Sequence, residues 1–523
     1  MSAQLTLTTE RRLLPTDTAY ASIEKGPGES HVARNDLGGD AAALTAPGAT
    51  VLLRLLHLTD LHVLDAASPA RCEWVEARSN NPKWHPLLHM ARTFDTLAIW
   101  GVAAIAASVF GSGSDLVDIA IATGDNIDNA QRNELDAYLA LLDGGTFSFP
   151  YEGVQRTDWA NDMRADHLRT EGLWPFWVPD GGTEDMWRST HGFPAIPGLL
   201  DAAGSPCSST GLGLPWLGVL GNHDVMSQGT VYVPESLDRI AVGSWAALSP
   251  GPAFDPPDPF KAYMTDPTSF SDGEIRRPVS PVESRHSITR AEFVRAHIDS
   301  GGHGFADETS GDYVHDTEHV RIVVLDTNHP TGHYQGSIGR AQLDWLDATL
   351  DADPTRPVLV VSHHGQASMD NTYPTSPTSP TSPTSPTSPD SQRRLGDAMA
   401  EVLHRHDNVV AWLVGHRHVH RIQACPDPTG RGPGFWEVTT SSIIDWPNQA
   451  RIVEIIRGTD GTVGVRTTVV DHDSIDTSEH APTSTRLPAL HRELAYNSGR
   501  VYGERHRDGR PTDRNTILAS PSR

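Results

Sequence analysis

Cysteine is nearly missing from this chain. Cys72, Cys207 and Cys425 are far apart, odd in number and in no CxxC pair. That excludes a disulfide framework and a thiolate metal site. Long apolar runs are missing too. The most apolar window, TLAIWGVAAIAASVF at 96–110, follows Arg92 and Asp95. It is too short to span a bilayer and reads as a buried helix. Basic residues are outnumbered, 41 Lys and Arg against 66 Asp and Glu, for a formal charge of −25. Such a chain repels a phosphate backbone, which disfavours nucleic acid as a partner. Arg11 and Arg12 form a pair with no apolar segment behind them. No secretory signal is read there, so the expectation is a cytoplasmic protein with no membrane partner.

What is present is enough apolar residue for a core, 37% without glycine, and 26 histidines, several in tight clusters. The length of 523 residues allows one large domain or two to three ordinary ones. Short β-like runs end in polar tips at 50–62, 116–128, 215–224, 319–329, 356–364 and 408–420. These six are rich in Val, Ile and Leu, as strands buried on both faces should be. Further runs at 435–445 (FWEVTTSSIID), 450–458 and 462–470 complete the series. Helical patterns at 86–110, 129–144, 340–353 and 391–406 lie between them, the second with Asp128 as cap and Gly144 as stop. Alternation of this kind means α/β layering, with ligands at the C-terminal ends of the strands.

The chain divides into an N-terminal extension (1–49), a main domain (50–475) and a polar C-terminal tail (476–523) expected to be peripheral. The main domain carries long insertions at 145–214 and 227–318. Trp174, Trp177 and Trp187 in the first suggest a packed cap that shapes a pocket. Five Thr-Ser-Pro units fill 375–389. Proline at every third position forbids helix and ladder pairing, so an extended surface loop is expected there.

The strand tips carry the chemistry. They read TDLH with Asp60 and His62, GDNID with Asp125 and Asp128, and GNHD with Asn222, His223 and Asp224. Two more read SHH with His363 and His364, and GHRH with His416 and His418. Each motif alone is weak. An Asp-x-His is usually a loop pair, and a Gly-Asn-His-Asp string is as easily an Asx-turn. Five tips of one α/β core that each offer Asp, Asn or His are more than coincidence. Hard oxygen and imidazole ligands without cysteine suit Mn, Fe or Zn.

The ordered series of Asp-x-His, Gly-Asp-x-x-Asp, Gly-Asn-His-Asp, His and Gly-His-x-His resembles the calcineurin-like metallophosphoesterases. LDT…GSIGRAQLDWLDATL at 325–350 is similar to that family as well. The resemblance spans roughly 51–458 with the insertions unmatched, and is nearest the bacterial cyclic-nucleotide-phosphodiesterase-like members. It implies a four-layer α/β/β/α sandwich with two long insertions and two divalent or trivalent metal ions. Asp60, His62, Asp125 and His418 would hold the first metal. Asp125 would bridge to the second, held also by Asn222, His363 and His416. His223 would act at the leaving group, with Asp224 orienting it and Asp128 standing behind the ligands. The implied function is hydrolysis of small-molecule phosphoesters by metal-activated hydroxide, with a phosphodiesterase expected first. The alternatives are a phosphomonoesterase or nucleotidase of the same fold, or a non-catalytic metal-binding scaffold. A scaffold should have lost ligands, and none is lost. A nuclease is disfavoured by the acidic charge. Among the other histidines, His57 is expected in the core and His364 beside the ligands. His89, His404 and His406 are expected to be solvated, and His329 and His333 within possible reach of substrate.

Overall fold

In the computed structural model the described residues are 4–78, 81–90, 97–113, 116–149, 177–179, 185–251, 254–372, 393–475, 483–503 and 506–521. The branched apolar runs become short buried strands. They are β1 (Thr50–Leu58), β2 (Ile119–Ala122), β3 (Trp216–Gly218), β4 (Arg321–Leu325), β5 (Val358–Ser362) and β6 (Val409–Val414). After them come β7 (Phe435–Thr439), β8 (Ala450–Arg457), β9 (Val463–Asp471) and β10 (Thr516–Ala519).

An eight-stranded mixed sheet runs in the order Val32–Arg34, β10, β9, β8, β1, β2, β3, with Thr6–Leu7 added beside β9. Within it β1, β2 and β3 are parallel, with Leu55 opposite Ile119 and Ala120 opposite Trp216. A six-stranded sheet places β4, β5, β6 and β7 in parallel between the antiparallel edges Tyr313–Asp316 and Arg421–Cys425.

Strand alternation sorts the core. Ile322, Val324, Leu359, Val361, Ala411 and Leu413 join the same cluster as Leu53, Leu55 and Ile121 of the other sheet. Their neighbours Val323, Leu325, Val360 and Trp412 pack with Leu346 and Leu350 of α3 (Arg340–Asp351) and Met399 and Leu403 of α4 (Gly396–Leu403). Both faces of β4–β6 are therefore covered, which is why these runs read as continuous Val/Ile/Leu. The parallel strands aim their C-terminal ends at one region, and the motif residues follow those ends.

Several expectations change. The pattern at 86–110 is not one helix. A 3₁₀ segment spans Pro82–Met90 around Pro86, and α1 runs Ala98–Ser112. Pro86 has no N–H to donate to an α-helical ladder. Helix α2 covers Arg132–Asp143, ends at Gly144 as read, and starts after Gln131, so Asp128 is not its cap. The 391–406 pattern is shorter than read, because Arg393–Arg394 pairs with Ile338–Gly339 before α4 begins.

The tail is not peripheral. Helix α5 (Leu487–Tyr502) buries Leu487, Leu490 and Leu494 in the main cluster, and β10 pairs with β9 and with Val32–Arg34. Its apolar residues sit three and four apart, a narrow stripe in a polar sequence. His406 is buried and bonded to Asp347 through Nε2 at 2.7 Å rather than solvated. Trp187 is 1% exposed and packs edge-on against Phe193 and Tyr502, so it cannot line an open pocket. The Thr-Ser-Pro units and Trp174 lie outside the described residues. Among the described residues no helix is long and apolar enough to cross a membrane.

Candidate metal centre

Asp60, His62, Asp125, His416 and His418 all follow parallel strands, and all take positive φ, between 45° and 66°. Side chains with a Cβ rarely adopt this region, and each instance costs on the order of 1–3 kcal/mol. The turns are held by main-chain bonds between neighbouring tips. The Asp60 N–H donates to the Gly124 carbonyl at 3.0 Å, and the His62 N–H donates to Asp125 at 2.9 Å. Glycine is required where these turns touch. Gly124 has φ +90°, and a Cβ there would lie 2.7 Å from His363 Nδ1 and from the Gly221 nitrogen.

The side chains converge on two adjacent points. At the first, His418 Nε2 lies 3.1 Å from Asp60 Oδ1, and His62 Nε2 lies 3.8 Å from Asp125 Oδ2. At the second, His363 Nε2 lies 3.1 Å from Asp125 Oδ2, 3.1 Å from Asn222 Oδ1 and 3.3 Å from His416 Nδ1. Candidate ligand atoms within 4.8 Å of one another group as Asp60–His62–His418 and as Asp60–Asp125–His363. All seven residues expected as metal ligands thus meet in one place.

The donor set fits cations on its own chemistry. His62 Nε2 is buried and has no hydrogen-bond partner. Three histidines have one nitrogen tied by an acceptor and the other aimed into the centre. His62 Nδ1 is 3.0 Å from Asp128 Oδ1, His363 Nδ1 is 2.8 Å from the Thr123 carbonyl, and His418 Nδ1 is 2.5 Å from Asp445 Oδ2. This is how proteins fix the tautomer of metal-binding imidazoles. Two carboxylates, Asp60 and Asp125, are buried side by side, an arrangement that demands positive charge between them. Without metal that charge is protonic. Burial opposes a charge on His363, but Asp125 and Asp60 push its pKa up to about 9. Burial alone would raise Asp125, yet the His363, His223 and His62 charges hold it well below the usual carboxylate range.

His223 lies at the edge of this group. Its Nδ1 donates to the Asp128 carbonyl at 2.9 Å and is 3.2 Å from Asp128 Oδ1, which leaves Nε2 for substrate. Against the cost of burial, Asp125 and Asp128 push its pKa up to about 9. The expectation that Asp224 orients His223 is replaced. The Asp224 carboxylate accepts from the Asn126 N–H at 2.9 Å, Ile127 N–H at 3.1 Å and Gly221 N–H at 2.7 Å. Asp224 therefore staples the GDNID loop to the GNHD turn, and Asp128 is the residue that positions His223. Arg71 bonds the other Asp128 oxygen.

His364 lies against His363 and His416, with a ring nitrogen within 4.8 Å of theirs, but its hydrogen bonds hold it apart from their role. Its Nδ1 meets Thr327 Oγ1 at 2.9 Å and its Nε2 donates to the Tyr334 carbonyl at 3.0 Å, so neither nitrogen is spare. His57 is a core residue, held between the Thr123 and Thr440 hydroxyls. His329 is fully buried, and His333 stacks on Tyr334 at 4.4 Å between ring centroids. Sequence reasoning missed Asp445, Arg71 and Arg507. Arg507, from the tail, bonds Asp445 and lies 3.1 Å from His418 Nδ1. The signal for Asp445 was available, since it is the polar tip of the run FWEVTTSSIID.

No protein-family model matches the chain, and no curated protein sequence matches it. Solved structures do. A dimetal phosphatase from Danio rerio shares 13% identity over 80% of this chain and 99% of its own, with a TM-score of 0.28. A purple acid phosphatase from yellow lupin seeds shares 11% identity over 81% of this chain and 52% of its own, with a TM-score of 0.30. GAP50, the anchor in the inner membrane complex of Plasmodium, shares 10% identity over 85% of this chain and 95% of its own, with a TM-score of 0.27. At such scores the functional reading rests on the residues of the site.

Proposed function

We propose that this chain is a hydrolase of phosphoester bonds that works with two bound metal ions. One observation carries the reading. Seven residues expected as ligands, from five strand tips, come together around Asp125 and Asp60, with His62, His363 and His418 each fixed through its second nitrogen.

Asp60, His62, Asp125 and His418 would hold one ion, and Asp125, Asn222, His363 and His416 the other. When bound, such a pair supplies a lowered pKa for water and neutralises phosphoryl oxygens. The rest is done by the chain. His223, held by Asp128 through Nδ1, is placed to donate a proton from Nε2 to the departing alkoxide. Asp224 fixes the turn that carries Asn222 and His223. Thr59 Oγ1 donates to Asp60 Oδ2 at 2.6 Å and fixes that carboxylate.

A non-catalytic scaffold is the second reading, and the complete ligand set with a positioned His223 speaks against it. Nothing in the ligand set prefers a diester to a monoester, so the expected phosphodiesterase activity and the monoesterase alternative are two arms of one experiment. Purified protein loaded with Mn, Fe or Zn is assayed on bis-p-nitrophenyl phosphate and p-nitrophenyl phosphate, with metal analysis in parallel. Turnover of either with two metals per chain supports the reading. Two metals bound with neither ester hydrolysed sinks it.

A further inference from the structure

Beside the metal centre stands an aromatic group that the chemistry above does not use. Tyr334 is 37% exposed, one of few large rings in the described residues that reach solvent. One face of it is covered by His333, with centroids 4.4 Å apart and planes 24° from parallel. Phe260 braces both rings edge-on, at 5.6 Å from Tyr334 and 5.2 Å from His333. The Tyr334 ring lies nearly parallel to His416, 18° apart, with centroids 6.4 Å apart.

The backbone under this group is fixed. His364 Nε2 donates to the Tyr334 carbonyl at 3.0 Å, and the His364 ring lies 4.5 Å from that of His416. Asn371 Nδ2 donates to the carbonyls of Gly332 and Gln335, each at 3.0 Å, on either side of the pair. The His333 N–H donates to the Thr230 carbonyl at 2.7 Å. Phe260 sits on the short helix Pro259–Thr265, so the insertion at 227–318 reaches the site through it.

An exposed ring costs solvation unless something covers it. A ring held this firmly loses little entropy when a flat group stacks on it. Its centroid lies 6.4 Å from that of His416, which the phosphoesterase reading makes a metal ligand. Arg417, between His416 and His418, is exposed as well.

We propose that Tyr334, braced by His333 and Phe260, is a stacking platform that selects phosphoesters whose organic group carries a flat aromatic ring. This rests on the phosphoesterase reading and names its substrate class.

The test uses benzyl phosphate against cyclohexylmethyl phosphate, and their methyl diesters. Both groups leave as primary alkoxides, so intrinsic reactivity is close and only ring flatness differs. The ratio of kcat/KM, benzyl over cyclohexylmethyl, is expected to be about tenfold or more in the wild type. It is expected to persist in Tyr334→Phe and to fall to within about twofold of one in Tyr334→Ala. Metal content equal to wild type shows that the Ala variant is folded at the site. Calorimetric binding of benzylphosphonate and cyclohexylmethylphosphonate to the metal-loaded protein gives the same comparison without turnover. A ratio near one in the wild type, or a ratio that survives Tyr334→Ala, overturns the platform. No turnover of any ester, with benzylphosphonate still preferred and that preference lost in Tyr334→Ala, supports the platform and removes the phosphoesterase reading instead.

Discussion

At the scale of residues, the division of labour follows from which nitrogen of each imidazole is spent. His363 spends Nδ1 on the Thr123 carbonyl and turns Nε2 to Asp125 and Asn222, whereas His364 spends both. His416→Ala or Asn222→Ala is therefore expected to abolish turnover and to lower bound metal from two to one per chain, by metal analysis. His364→Ala should disturb both less, and equal loss would mean that His364 is a ligand. His223→Gln removes a donor without removing a ligand. Its kcat is expected to fall about 10²–10⁴-fold with metal content unchanged. Asp445→Asn loosens His418 and is expected to weaken metal affinity about 10–100-fold, measured by competition with a chelator. The residues that meet at the centre were legible because they cluster at strand tips as short strings. Asp445 was legible only as the polar tip of its run; its role lies in the 2.5 Å approach to His418 from another tip, which no short string announces. The role given to Asp224 failed for a related reason. Adjacency to His223 in the chain suggested contact, but the turn sends the two side chains to opposite partners.

At the scale of elements, the parallel strands were legible from branched apolar runs, because strands buried on both faces have no alternation to confuse with a loop. Helices on the outside were read less well. The pattern at 86–110 divides between a 3₁₀ segment that ends at Met90 and α1, which starts at Ala98. Helix α5 was overlooked since its stripe of Leu487, Leu490 and Leu494 is thin and lies in a tail that reads as polar. Its burial makes a firm expectation. Leu490 is 1% exposed, and Gly101 of α1 comes so near that a Cβ would lie 2.5 Å from His491 Nδ1. Leu490→Ala should cost about 2–5 kcal/mol in denaturant unfolding, since the tightly packed pair cannot close over the cavity. A cost below 1 kcal/mol would show that α5 is only loosely seated.

At the scale of the whole molecule, the N-terminal and C-terminal segments close the larger sheet, and a buried polar web ties them to it. Arg451 is fully buried and donates to the carbonyls of Asp513 and Arg514, while Arg492 pairs with Asp471 at 2.9 Å. Such a web could not be read from sequence, since Arg451 lies 62 and 63 residues from Asp513 and Arg514, and Arg492 lies 21 from Asp471. Buried histidines outside the expected ligand set are held neutral by the same interior, among them His57, His297 and His491. Burial pushes His57, His297 and His491 down to about 3. In the unfolded chain each titrates near 6.5. Between about 6.5 and 3 the unfolded state therefore binds protons that the native state refuses. The stability gained by keeping them neutral is complete above pH 6.5 and lost as pH falls toward 3. Each contributes a slope of about 1.4 kcal/mol per pH unit over the lower part of that range. His297 is the group to test, because burial is the first cause of its shift, its Nδ1 donates to the Phe293 carbonyl at 2.9 Å, and its ring sits among Phe293, Phe305, Tyr138 and Trp216, with His303 at 5.4 Å. Unfolding free energies of the metal-free protein, measured from pH 6 down to pH 4, should fall less steeply in His297→Leu than in the wild type, by about that slope. Parallel curves would mean that His297 takes up its proton in the folded state, and that the interior around α2 and β3 admits water.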